Sequence, residues 1–303
     1  YMKVNRRKSM KILITGSNGQ LGNELQSIIK SGKAEIGSVS ENIKNSEVIA
    51  LDVDKLDITS LENVKNVLNE EKPDVVINCA AATNVDGCES NEDFAFKVNS
   101  LGARNLAMVC EEIGAKLVQV STDYVFSGFG EKPLTEFDLT APYSVYGKTK
   151  LLGENYVKEF CSKYYIVRTA WLYGYVGHNF VYTMMRLGKE KESLNVVNDQ
   201  KGNPTHANDL AYHILKLIET EEYGIYHCTG KGECTWYDFA KEIMELAGNK
   251  CIVNPCTSEE YKTPAKRPEY SSLDNMMLRC TIGDEMRDWK EALKSFFKNQ
   301  QRN

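Results

Sequence analysis

No run of apolar residues in this chain approaches the roughly 20 needed to cross a bilayer as a helix. The first nine residues, YMKVNRRKS, are basic, but no signal-like apolar segment ending in small residues follows them. They read as a dispensable extension or an artefact of start-site choice, with Met10 opening the first strand. Histidine is scarce: His178, His206, His213 and His227 form no HExxH pair and have no carboxylate at ligand spacing, so no dedicated metal site is expected. His213 reads as a packing or surface residue of a helix. Close cysteine pairs are lacking too, since the nine cysteines (Cys79, Cys88, Cys110, Cys161, Cys228, Cys234, Cys251, Cys256 and Cys280) show neither disulfide-framework nor zinc-ribbon spacing. A reducing cytoplasm fits that pattern. Nor is there an excess of one charge: 37 basic against 42 acidic residues leave a formal net charge of -5, which argues against nucleic acid or anionic membrane as partner.

With 303 residues and 42% hydrophobic content, the chain can bury a large core as one α/β unit or as a nucleotide-binding domain with a smaller lobe. KILITG at 11–16 is an apolar run fit for a strand buried on both faces, and Leu21, Leu25, Ile28 and Ile29 then recur at helical spacing. EVIAL at 47–51 and DVVINCA at 74–80 read as strands around a helix from about Ser60. A helix over 95–113 and the strand KLVQVS at 116–121 follow, counted as the fifth strand. The stretch 126–142 reads as a long surface excursion. A helix over 143–160 and the strand YYIVRT at 164–169 continue the alternation, which predicts a Rossmann-like doubly wound parallel sheet with ligands beyond the strands' carboxyl ends. After Trp171 the rhythm loosens. Helices are expected over 179–192, from near Thr205, and over 235–247 with Thr235 as N-cap and Asp238 completing a capping box, with a strand at 194–200. Residues 252–281 read as loop-rich. Residues 10–170 are thus expected to form mainly the nucleotide-binding domain, and 171–300 mainly a mixed α/β substrate-binding lobe with elements returning to it.

Gly16, Gly19 and Gly22 directly after a strand suit a dinucleotide turn: one for the tight turn, one for close backbone approach to pyrophosphate, one for helix packing. The helix from Gln20 offers free N–H groups to that anion. Asp52 is the candidate ribose acid, although about thirty residues separate it from the turn where about twenty are usual. The neighbouring Asp54 and Asp57 read equally as a helix-entry acid cluster, as in DITS. With Lys55 the one cation near Asp52, the balance leans to NADH or dual use over strict NADPH. The run CAAATNVD at 79–86, placed after the fourth strand, gives Ala80 and Ala81 an edge close to a dinucleotide. Asn99 has two candidate jobs, cofactor contact or satisfaction of local backbone.

Tyr146 and Lys150 stand one helical turn apart, so a nearby ammonium is expected to lower the phenol's pKa from about 10 and ready it for proton transfer at a carbonyl oxygen. Thr122, at a strand exit, would hold the same oxygen by a hydrogen bond. Asp123 would orient substrate or fix the loop, while Tyr124 and Phe126 read more simply as packing.

The strings MKILITGSNGQLG, STDYVFSG, PYSVYGKTKLLGE, RTAWLYG, VVNDQKGNPT and KRPEYSSLDN resemble the extended short-chain dehydrogenase/reductase superfamily, and within it the dTDP-4-dehydrorhamnose reductase family. The resemblance covers Met10 to the C-terminal region. It implies NADH- or NADPH-dependent reduction of the C4 ketone of a dTDP-linked 4-keto-6-deoxysugar for polysaccharide biosynthesis, with Tyr146 as proton donor assisted by Lys150 and Thr122. It also implies a cofactor path lined by Gly16, Asn18, Gly19, Gln20, Leu21, Gly22, Asp52, Asp57, Ile58, Ala80, Ala81, Ala82, Asn99, Tyr146 and Lys150. The sugar nucleotide would meet Thr83, Val85, Asp86, Thr122, Asp123, Tyr124, Tyr146, Trp171 and Arg267, the last reaching phosphate or thymidine; a solvated arginine is the alternative. Some family members pair as homodimers through magnesium-bound acids, but no motif here points to magnesium. Ala170 stands where many members carry serine. The Asp-Glu pair that a dehydratase wants after its threonine is missing, since Asp123 precedes Tyr124. A 4-epimerase, a sister ketoreductase and a non-catalytic regulatory subunit remain the other readings, the last opposed by the intact Thr122, Tyr146 and Lys150.

Overall fold

Aliphatic residues run without a polar break through KILIT and VVIN, and both segments are strands with almost every residue buried. They lie side by side within a six-stranded parallel sheet in the computed structural model, which describes residues 9–300. The reading of the N-terminal extension falls, apart from Ser9, outside the described residues. The strands are β1 (Lys11–Thr15), β2 (Glu47–Ala50), β3 (Val75–Asn78), β4 (Lys116–Thr122), β5 (Tyr164–Thr169) and β6 (Gly224–His227), in the spatial order β6, β5, β4, β3, β1, β2. Five helices cover it: α1 (Gln20–Ser31), α2 (Leu61–Glu71), α3 (Gly102–Ile113), α4 (Val145–Phe160) and α5 (Ala207–Leu217). On one face Leu25, Ile28 and Ile29 of α1 pack with Leu210, Ile214 and Leu215 of α5. On the other, Val64 and Leu68 of α2 join Leu106 and Val109 of α3 and Val157 of α4. Each such fully buried side chain contributes about 1.5–3 kcal/mol. This is the doubly wound parallel sheet that the alternation predicts.

The strand order reverses between β1 and β3, which opens a crevice beyond their carboxyl ends. A buried polar ladder crosses the sheet just below it. The Thr15 hydroxyl donates to Asn78 Oδ1 at 2.6 Å, and the Asn78 amide donates to Gln119 Oε1 at 2.8 Å. These bonds fix the relative heights of β1, β3 and β4, whose ends carry the candidate residues.

Residues 171–297 gather a separate apolar cluster around Tyr173, Val181, Phe239, Ile243, Trp289 and Phe296. It is fastened to the sheet domain by Arg287, which donates to both carboxylate oxygens of Asp209 on α5, at 2.6 and 2.9 Å, and to Glu35 at 2.9 Å. The helix Trp236–Leu246 carries the expected capping box between Thr235 and Asp238. No helix among the described residues is long and apolar enough to cross a membrane.

Four sequence expectations need correction. Among the described residues no strand separates β2 from β3, so CAAATNVD follows the third strand and Thr122 ends the fourth. The helix expected over 95–113 is divided: Glu92–Phe96, a π-helical turn at Lys97–Leu101, then α3. In the loop-rich stretch 252–281, Ile252–Cys256 is a strand paired in parallel with Ser193–Val197, where Pro255 is tolerated because the sheet has only two strands and both are edges. The helix expected from Thr205 starts at Ala207, because Thr205 and His206 pair with Leu172 and Tyr173. His213 is fully buried, its ring bonded to the Asp209 carbonyl and the Glu285 N–H, so it is a packing residue.

Gly153 brings α4 onto the π-helical turn so closely that a Cβ there would collide with the Asn99 carbonyl. Gly153→Ala is therefore expected to destabilise the fold by about 1–3 kcal/mol through overpacking, seen as a lowered Tm. An unchanged Tm would show that the two elements can separate freely.

Candidate active site

β1 ends at Thr15 and the chain turns at Gly16 with φ +57°, where an added Cβ would sit 2.8 Å from the Ala80 nitrogen. Gly22 is equally pressed, its Cβ position 2.7 Å from the Gly16 carbonyl oxygen. Gly19, the N-cap of α1, has no side chain to cap the helix, and the first turn holds no acidic residue. The free N–H groups and dipole of α1 thus face a glycine-walled concavity, the arrangement that binds a pyrophosphate. The residues present fit a dinucleotide.

The surrounding candidates have observed jobs. Asp52 accepts from the Asn18 N–H at 3.1 Å and the Val53 N–H at 2.8 Å, so its carboxylate ties the glycine loop to the end of β2. Asp57 caps a turn through the N–H and hydroxyl of Thr59, the helix-entry role. Ile58 is buried against Gly102. Asn99 brackets Ala82: its Oδ1 accepts from the Ala82 N–H at 2.9 Å, and its Nδ2 donates to the Ala82 carbonyl and to Thr149 Oγ1, both at 3.2 Å. It satisfies local backbone and so fixes the Ala80–Ala82 edge of the crevice.

β4 and α4 bring Thr122, Tyr146 and Lys150 together. Ser144 caps α4, placing Tyr146 in its first turn and Lys150 one turn later. The Lys150 ammonium, almost wholly buried, donates to the Val120 carbonyl at 2.6 Å. Burial pushes Lys150 down to about 8, with Glu154 opposing the shift. The half-buried Tyr146 is raised above the usual 10 by desolvation, with the Thr122 hydroxyl pulling the other way. This corrects the expectation that Lys150 draws the phenol down: in the ligand-free protein the net shift is upward, and one of the three ammonium N–H groups is taken by the Val120 carbonyl. Thr122 donates to Asp123 Oδ1 at 2.9 Å. Asp123 is buried, desolvation lifts its carboxyl to about 6, and its Oδ2 has no hydrogen-bond partner among the described residues. Tyr124 packs edge-on against Tyr146, with ring centroids 5.3 Å apart.

A family model described as the RmlD substrate binding domain matches residues 10–302. The chain belongs to that family. It is 54% identical to a dTDP-4-dehydrorhamnose reductase from Clostridium acetobutylicum, with a TM-score of 0.91 over 96% of this chain and 100% of that one. A Bacillus anthracis dTDP-4-dehydrorhamnose reductase, solved in complex with NADP, is 43% identical at a TM-score of 0.90 over the same shares. The spore coat polysaccharide biosynthesis protein SpsK of Bacillus subtilis is 39% identical over 96% of this chain and 98% of its own length.

Across the crevice, Arg267 is not a solvated arginine. It forks onto Asp86 through bonds of 3.0 and 2.8 Å, and the Ala265 N–H adds a third bond to the same carboxylate. Arg267 holds the Asp86 carboxyl below its usual range. Thr83 lies just ahead of the short helix Val85–Ser90, which carries Val85 and Asp86. Trp171 has a left-handed backbone, φ +47°, and stacks on Trp236 with ring centroids 3.5 Å apart and planes within 6°. Sequence reading missed Trp236 and Gly202, whose Cβ position lies 2.6 Å from the Trp171 indole. The aromatic pair in TWYDF and the glycine in DQKGNPT were the available signals.

The depressed lysine is directly measurable. In the ligand-free protein, the Lys150 side-chain NMR resonance, assigned with Lys150→Met, is expected to titrate near pH 8, well below the usual 10.5. Titration at the ordinary lysine value would show that the ammonium is solvated.

Proposed function

We propose that this chain reduces the C4 ketone of dTDP-6-deoxy-L-lyxo-4-hexulose to dTDP-L-rhamnose with NADH or NADPH. The observation that carries the reading is the convergence of Thr122, Tyr146 and Lys150 beside a glycine-walled anion cradle at the sheet's switch point, in a chain similar throughout to two dTDP-4-dehydrorhamnose reductases.

When bound, the reduced nicotinamide supplies the hydride that the carbonyl carbon takes up. Gly16, Gly19, Gly22 and the first turn of α1 would hold the pyrophosphate, with Ala80–Ala82 and Asn99 along the dinucleotide. The sugar's O4 receives a hydrogen bond from the Thr122 hydroxyl, turned from Asp123, and a proton from the Tyr146 phenol. One hydride at carbon and one proton at oxygen complete the alcohol. A phenol raised by burial stays protonated at neutral pH, the resting state an acid needs in the reducing direction. Lys150 would set a cationic field beneath the phenolate that forms, with N–H groups beyond the one given to Val120 left to bond the cofactor ribose. Trp171 and Trp236 form an apolar wall for the deoxysugar face, and Arg267 can exchange Asp86 for nucleotide phosphate, its fork matching both.

Purified protein given the ketosugar should oxidise NADPH or NADH stoichiometrically at 340 nm and yield dTDP-L-rhamnose by NMR. Tyr146→Phe should lower kcat by about 10²–10⁴-fold with cofactor affinity largely kept. Wild-type failure in a validated assay, or full activity of Tyr146→Phe, would overturn the assignment.

A further inference from the structure

One fully buried ion pair lies directly behind Lys150 and has no part in the reaction as described. Glu154 stands one turn beyond Lys150 on α4 and is completely inaccessible, while Arg168 on β5 is 3% exposed. The carboxylate is saturated: Oε1 accepts from the Ser121 hydroxyl at 2.6 Å and from Arg168 Nε at 2.9 Å, and Oε2 accepts from Arg168 Nη2 at 2.6 Å. Arg168 is steadied in turn by His227 on β6 at 3.4 Å and by the Phe126 ring, 5.1 Å away. Ser121 and Arg168 are register partners across β4 and β5. Ser121 also lies between Val120, whose carbonyl receives the Lys150 ammonium, and Thr122. A single carboxylate therefore grips the residue between two parts of the site and holds it to the helix that carries the other two.

We propose that Glu154 is a positioning residue of this site: through Ser121 and Arg168 it locks the carboxyl end of β4 in register with α4, and its negative charge keeps the buried Lys150 cationic. The inference rests on the role given to Lys150 in the proposed function. Buried ion pairs are weak stabilisers compared with apolar packing, so a pair placed here answers to a need other than stability. The charges around Lys150 make that need plain. On its own helix stand Tyr146 and Glu154; beyond β3 lies Cys79, beyond β4 Asp123, and behind Glu154 are Arg168 and His227. Cys88 and Glu89 of the helix Val85–Ser90 face Tyr146 and the start of α4. Of these, Glu154 opposes the effect of burial on Lys150 most strongly.

The test separates the charge from the grip. Wild type, Glu154→Gln and Ser121→Ala are compared in kcat and KM from about pH 6 to 10, and in NADPH affinity over the same range, with thermal unfolding to verify folding. In Glu154→Gln the alkaline limb of kcat and of NADPH affinity is expected to move down by about half a unit to one unit, because Lys150 loses its proton sooner. Ser121→Ala changes no charge, so it should leave the limb in place and lower kcat about tenfold by loosening Thr122. Because a lone buried guanidinium can itself unfold a chain, the double variant E154Q/R168M is the charge-balanced control, in which the limb should move less than in Glu154→Gln because the guanidinium that offsets Glu154 is gone as well. Superimposable pH profiles for wild type and folded Glu154→Gln, or an unaltered kcat in Ser121→Ala, would overturn the proposal. NADPH affinity reads the Glu154 charge even if the ketosugar is not turned over, an outcome that would contradict the proposed reaction instead.

Discussion

The hydrogen bond from the Lys150 ammonium to the Val120 carbonyl is the contact on which the rest of the site depends. An ammonium taken out of water must find partners or lose its proton, and this one is buried between α4 and β4. The carbonyl at the end of β4 draws it inward and thereby sets α4 against that strand. Two further placements follow without additional devices. Tyr146 comes one turn before Lys150 on the same helix face, and Thr122 comes two residues after Val120 at the strand's exit. The phenol and the hydroxyl proposed as proton donor and oxygen holder are positioned by the same joint.

A second constraint comes from crowding. The glycine loop has no room for side chains because Ala80 presses on Gly16 and α1 presses on the loop through Gly22. The polar ladder from Thr15 through Asn78 to Gln119 holds the strand ends level beneath it. Asn99 clamps Ala82 from a π-helical turn and reaches Thr149 on α4, so the Ala80–Ala82 edge of the crevice and the helix of Tyr146 and Lys150 share one amide. Such turns often interrupt α-helices at functional sites. Here the interruption lets Gly153 bring α4 within contact of the turn.

Most of the sheet domain could be read from residue patterns alone, because parallel strands buried on both faces leave uninterrupted aliphatic runs and the glycine turn has a fixed place after the first of them. The meeting of Thr122, Tyr146 and Lys150 was legible for the same reason, each lying at the end or start of an element. What periodicity does not encode is direction and partnership. The lysine four residues from a tyrosine could have faced the phenol, but the nearby strand carbonyl claims it. The run of aspartates from Asp52 to Asp57 contained both a loop tie and a helix-entry turn, and only the fold divides the two. Arg267 and Asp86 are 181 residues apart, and the stack of Trp171 on Trp236 joins segments that no local pattern connects. Ile252–Cys256 was hidden because a short edge strand containing proline has the composition of a loop.

The central claim is that this site delivers a hydride and a proton to the C4 ketone of a nucleotide-linked deoxysugar and then exchanges its oxidised cofactor. Turnover with NADPH deuterated on the transferring face of nicotinamide C4, followed by NMR of the sugar product, tests that claim most directly. The account predicts one deuterium per product molecule, located at sugar C4, with an equivalent of oxidised cofactor released. Product without deuterium at C4, or turnover without net cofactor oxidation, would contradict it.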